Sequence, residues 1–179
     1  NASGVEARKA GAALGKLKGG APGLVLAGNF RRAADLALGI ALRDYRFESH
    51  KTGDDMGKAP EEVVIFHSKP NEMEAAAAPL LAVAEGAHFT RDLVNEPANV
   101  LTTTEFAARL EAMRDIGLEV EVLDEAALDT LGMRTLLSVG QGSESPSKVV
   151  VMQWNGGKAG EPPLALVGKG VVFDTGGIS

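Results

Sequence analysis

An amine and a carboxylate stand five positions apart among glycines in Lys169-Gly170-Val171-Val172-Phe173-Asp174-Thr175-Gly176-Gly177-Ile178-Ser179. The apolar run Leu164-Ala165-Leu166-Val167 leads through Gly168 to the lysine, and Val171-Val172-Phe173 leads to the aspartate. Both charged groups are therefore expected at the ends of buried strands, where a lone ammonium or carboxylate is costly. Three chemistries answer that cost. The first is a Lys169–Asp174 ion pair in a solvated hairpin turned by the glycines. The second is a phosphate loop, but that pattern needs Ser or Thr directly after the lysine, and Gly170 stands there. The third is a divalent metal ion, for which neutral lysine nitrogen and aspartate oxygen are both acceptable donors. Residues five apart on an unbroken strand point to opposite faces, so a shared ion requires a backbone bend between them. Gly170 is the residue best suited to supply it.

Other chemistry-bearing residues are dispersed. His50, His67 and His88 lie 17 and 21 positions apart, a spacing that matches no zinc pattern. The acidic pairs Asp54-Asp55, Glu61-Glu62 and Asp124-Glu125 fall in expected loops or helix caps and read as solvated. Ser138, Ser143, Ser145 and Ser147 have no Gly-x-Ser-x-Gly context, which argues against a serine hydrolase. The chain has no cysteine, which excludes disulfides and thiol catalysis within it. Asn95, Glu96 and Asn99 can line a site, but Asn and Pro at a helix end are also ordinary stop signals.

The elements that must position the tail follow from periodicity. Helices are expected over Val5–Lys18, Phe30–Arg43 and Glu72–Val94, the last with Pro79 as kink or effective start. A fourth runs from a Thr102/Glu105 capping box to Ile116 and closes at Gly117, and Asp124 caps a short fifth. Strands are expected at 24–27, 63–66, 118–122, 135–139, 148–154 and 164–169, with a polar loop over 48–62. Strands alternating with helices give an α/β fold with mostly parallel sheets flanked by helices, and ligands in such folds gather at the carboxyl ends of strands. Apolar residues make up 45% and aromatics 4%, enough for an aliphatic core. A net charge of −6 argues against general affinity for nucleic acid or anionic membrane, and Arg8, Lys9, Lys16 and Lys18 read as a solvated helix face. No apolar run reaches the roughly 18 residues of a membrane span, and no signal segment opens the chain, so a cytoplasmic setting is expected. Asn1-Ala2 is consistent with a tag remnant.

The tail from Val167 to Ser179 closely resembles the metal-binding signature of the leucyl aminopeptidase (cytosol aminopeptidase) family. Two upstream stretches resemble the same family in the same order. One is Thr90-Arg91-Asp92-Leu93-Val94-Asn95-Glu96-Pro97-Ala98-Asn99 with Leu101-Thr102 and Thr104-Glu105-Phe106-Ala107; the other is Leu131-Gly132-Met133 with Leu136 to Ser143. Thr103 stands where the family usually has proline and Thr175 where it usually has serine, and neither change removes a ligand. The resemblance implies residues 1–90 as the end of a macro-like accessory domain and 91–179 as the opening of a metallo-aminopeptidase catalytic domain. It implies two divalent ions, zinc or manganese, with Lys169 as a ligand of one and Asp174 as the bridging carboxylate. It further implies peptide substrates cut at their amino-terminal residue, leucine among them, a bicarbonate base and a homo-hexamer. The family's other ligands and catalytic groups fall after Ser179, so residues 1–179 alone are expected to be inactive and to bind metal weakly. The alternative is a non-catalytic module, either a macro-like nucleotide or ADP-ribose binder or a DNA-contacting oligomerisation element; the acidic charge gives the DNA role no support.

Overall fold

The structure, a computed structural model, describes residues 2–19, 21–52 and 61–172. It separates into two compact units, Asn1–Asn95 and Glu96–Ser179.

The first unit opens with helix α1 (Gly4–Lys18), nucleated by a reciprocal capping box. Ser3 N donates to Glu6 Oε2 at 2.7 Å and Glu6 N donates to Ser3 Oγ at 3.3 Å. Strand β1 (Gly23–Gly28), helix α2 (Ala33–Arg43), strand β2 (Val63–His67) and helix α3 (Pro70–Asn95) follow. β1 and β2 pair in parallel, with Leu24 opposite Val64 and Leu26 opposite Phe66. α3 starts with proline at its first position, where a missing N–H costs nothing, and it continues through Pro79.

Helices α1 and α2 touch backbone to backbone. A Cβ at Gly11 would run into the Leu36 carbonyl, and one at Gly39 into the Arg8 carbonyl. Glycine is therefore a spatial requirement at both positions, and Ala7, Ala33, Leu36, Leu38 and Ile40 are buried around them. The basic residues of α1 are not the uniform solvated face expected. Arg8 bonds Asp35 at 2.9 Å, and Lys18 lies 3.1 Å from Asp44 with its side chain only 10% exposed. Lysine's long stem lets it bury carbon while its ammonium finds a carboxylate.

In the second unit a turn at Pro97, whose carbonyl accepts from both Val100 N and Leu101 N, leads to helix α4 (Thr103–Glu111). Thr102 caps it by accepting from Glu105 N at 3.3 Å. The Glu105 carboxylate bonds Arg109. A 3-10 turn (Ala112–Ile116) extends α4 and ends at Gly117, whose φ of 97° is the left-handed conformation that glycine adopts freely. Strand β3 (Glu119–Leu123), the Asp124-capped helix α5 (Glu125–Thr130), helix α6 (Arg134–Val139) and strand β4 (Val149–Gln153) complete the regular structure. β3 and β4 pair antiparallel, so the α/β fold combines one parallel and one antiparallel pair among the described residues.

Two sequence expectations are overturned here. The run 135–139, read as a strand, is helix α6; Leu137 N donates to Met133 O at 3.2 Å, the helical bond. A short apolar run cannot by itself distinguish the two states. Residues 164–169, read as a buried strand, form no strand and are exposed, Leu164 at 87%, Leu166 at 88% and Val167 at 100%. A strand is defined by its neighbour, and no described segment pairs with this one.

Candidate functional site

Lys169 does not sit at the end of a buried strand. It is exposed, on the irregular segment that follows β4, and Asp174 lies outside the described residues. Immediately after the lysine the chain bends: Val171 N donates to Lys169 O at 3.1 Å, closing a three-residue turn about Gly170. Gly170 is not one of the left-handed glycines. Its need is space, because a Cβ there would lie 2.6 Å from Cε1 of Phe106 on α4. Two residues later Val172 is buried at 8% exposure, so the segment is fastened to the unit just beyond the lysine. The tail and the Thr104–Ala107 stretch, separated widely in sequence, thus meet at Phe106 and Gly170.

The remaining singled-out residues hold structure. Tyr45, which follows α2, donates its hydroxyl proton to Asp92 Oδ1 at 2.8 Å and accepts from Asn95 Nδ2 at 2.9 Å. The Arg91 guanidinium lies 5.4 Å over the Tyr45 ring, and its Nη1 donates to Leu42 O. The half-buried His88 ring lies 5.3 Å from the same ring at a 43° tilt, and its Nε2 bonds Ala41 O, a structural role rather than ligation. Burial and then the Asp92 carboxylate raise the Tyr45 phenol above its ordinary value, while Asn95 opposes them. Glu96, with its side chain 6% exposed, accepts from Arg109 Nη1 at 3.0 Å, and Glu105 accepts from Arg109 Nε at 2.8 Å. The Glu105 bond first, and Glu96 after it, hold the guanidinium proton more tightly despite partial desolvation. The stretch from Arg91 to Glu96 therefore ties α3 to α2 and the start of the second unit to α4.

A cavity of about 440 Å³ is lined by Glu125, Asp129, Leu137, Gly140, Gln141 and Ser143, among others, and does not include Lys169. Among the described residues no group of three His, Asp or Glu side chains is placed to hold a metal ion. Lys169 offers one donor of suitable chemistry, an exposed primary amine beside a fixed turn.

Comparison with known proteins bears on the same segment. Residues 88–179, just over half the chain, match the model of the cytosol aminopeptidase family, catalytic domain. The chain belongs to the cytosol aminopeptidase family. It is 60% identical to a probable cytosol aminopeptidase of Cereibacter sphaeroides over 97% of this chain and 35% of that protein. It is equally identical, over its whole length and 36% of the relative, to one of Dinoroseobacter shibae. The chain thus spans about a third of the length of these curated relatives. Among solved structures, the bottromycin maturation enzyme BotP in complex with Mn shares the fold at TM-score 0.70 and 30% identity, over 87% of this chain and 34% of that one. The cytosol aminopeptidase from Coxiella burnetii aligns at TM-score 0.64 over 86% of this chain and 32% of that one, and at 16% identity shows the fold alone. Both family stretches that precede the tail are now placed: the first spans the end of α3 and the start of α4, and the second spans α6. The contacts of Phe106 and Tyr45 escaped sequence reading because their partners lie far away in the chain.

Proposed function

We propose that the protein containing these residues is a metal-dependent aminopeptidase that removes amino-terminal residues, leucine among them, from peptides. The observation that carries this reading is the catalytic-domain match over 88–179, together with 60% identity to relatives named as probable cytosol aminopeptidases. In this reading Lys169 and Asp174 are metal ligands, and the ions are zinc or manganese; BotP, solved with Mn, supports the metal class. Lys169 fits an ion on donor chemistry, provided its nitrogen is neutral, and its side chain is exposed rather than buried away from one. Bound divalent ions would supply Lewis-acid polarisation and an activated water.

Lys169 and Asp174 are two donors, too few for two ions, so residues 1–179 by themselves are inactive in this reading. Active-site groups outside these residues, a hexameric assembly and a bicarbonate base belong to the same proposal. The relatives' names support a cytoplasmic setting, and no helix among the described residues is long and apolar enough to cross a membrane.

The test is hydrolysis of leucine 4-nitroanilide and of its N-acetyl derivative by the full-length protein. The free amine substrate is cut, the acetylated one is not, and chelation stops the reaction until Mn²⁺ or Zn²⁺ is restored. Absence of hydrolysis with either ion would overturn the reading.

A further inference from the structure

The Lys169 turn is held from one side by an aromatic ring. Gly170 has no backbone angle that demands glycine, yet a methyl group there would lie 2.6 Å from Cε1, 3.3 Å from Cδ1 and 3.5 Å from Cζ of Phe106. Carbon atoms in contact prefer about 3.5–4.0 Å, so the ring already occupies the space of a side chain at 170. Phe106 belongs to the first turn of α4, which Thr102 caps and the Arg109–Glu105 ion pair braces. Its ring therefore projects from a rigid element. By contrast the residues before the turn, 154–168, are exposed throughout, with local ties such as the Lys158–Glu161 pair. Support for the lysine comes from the Phe106–Gly170 contact and the burial of Val172 beyond it.

We propose that Phe106 is a positioning residue for the candidate metal ligand Lys169: its ring seats the Gly170 backbone, fixes the three-residue turn and so sets where the lysine amine points. The inference rests on the reading of Lys169 as a ligand. Groups that orient ligands without touching the metal typically alter affinity about ten- to a hundredfold when lost, because a ligand free to wander must be ordered at each binding event.

The experiment compares full-length wild type with Phe106→Ala, Phe106→Leu, Gly170→Ala and the Phe106→Ala/Gly170→Ala double variant. The measurements are Mn²⁺ affinity by titration calorimetry, kcat and KM for leucine amide, thermal midpoint, and hydrogen exchange of the Val171 amide in metal-free protein. Phe106→Ala and Gly170→Ala are each expected to weaken Mn²⁺ binding about tenfold or more and to lower kcat more than they raise KM. In the double variant the added methyl occupies the space the ring vacated, so affinity returns toward wild type, and Phe106→Leu keeps most of it. Mn²⁺ affinity unchanged in Phe106→Ala, or a double variant no better than Gly170→Ala, overturns the proposal. If wild type neither binds Mn²⁺ nor cleaves substrate, the aminopeptidase reading fails on its own, and Val171 exchange then decides whether Phe106 holds the turn. Faster exchange in Phe106→Ala supports that role, and unchanged exchange refutes it.

Discussion

Tyr45 shows how much of the first unit depends on one hydroxyl group. It donates to Asp92 and accepts from Asn95, while Arg91 lies over its ring, so a single residue after α2 organises the last two turns of α3. Tyr45→Phe keeps the ring contacts and removes both bonds, and it should destabilise the protein by about 1–2 kcal/mol in urea denaturation. The pH dependence has a definite sign. Burial first, and Asp92 after it, raise the folded phenol above its ordinary value of 10.0, so the bonded, protonated form stabilises the fold at neutral pH. That contribution is present below pH 10 and lost as pH rises through the folded value. Wild type should lose stability above pH 10 more steeply than Tyr45→Phe, and parallel alkaline limbs would show that the hydroxyl is not responsible. Asn95 and Glu96 were legible as structural stop residues, but their partners were not. Nothing in the sequence links Asn95 to Tyr45 fifty positions earlier, or Glu96 to Arg109, because side-chain bonds over such distances follow from the fold and not from local pattern.

At the scale of elements, local chemistry was the readable part. The caps at Thr102 and Asp124, the close of the α4 extension at Gly117 and the strands at 63–66 and 118–122 all follow from short-range rules, and the structure carries each of them. Where the decision belongs to a neighbour, the pattern was mute: 135–139 became helix, and 164–169 found no partner strand. The α1–α2 contact is of the second kind. Gly11 and Gly39 look like weak points of two helices, whereas in three dimensions they are where the backbones meet. Gly39→Ala should destabilise by about 1–3 kcal/mol, since its methyl meets a carbonyl rather than a flexible side chain. Gly86, inside α3, has nothing within 4 Å of its Cβ position. Gly86→Ala should therefore stabilise by about 0.5–1 kcal/mol through helix propensity alone. Urea midpoints for the two variants should move in opposite directions, and a shift of the same sign would mean that propensity, not packing, governs α2.

At the scale of the whole molecule, the exposed apolar surface is the informative quantity. Leu24 and Leu26 on β1 and Val64 and Phe66 on β2 share one exposed face of the parallel pair, and Leu164, Leu166 and Val167 are almost wholly exposed. Parallel strands are ordinarily covered on both faces, and a run such as Leu-Ala-Leu-Val gains stability only when a neighbour removes it from water. The chain spans about a third of the length of its curated relatives, so most of the residues that can cover these surfaces lie elsewhere in proteins of that size. Two situations are then open to 164–169, a run left in water as here or one covered by such residues. Hydrogen exchange separates the two situations. In residues 1–179 by themselves the amides of 164–167 should exchange at nearly the rate of an unstructured peptide, whereas in the full-length protein they should be protected by a factor of about a hundred or more, as in core strands. Equal, fast exchange in both would mean that the run is a surface segment in the longer chain too. The Lys169 turn would then depend on Phe106 and Val172 alone, without a strand leading into it.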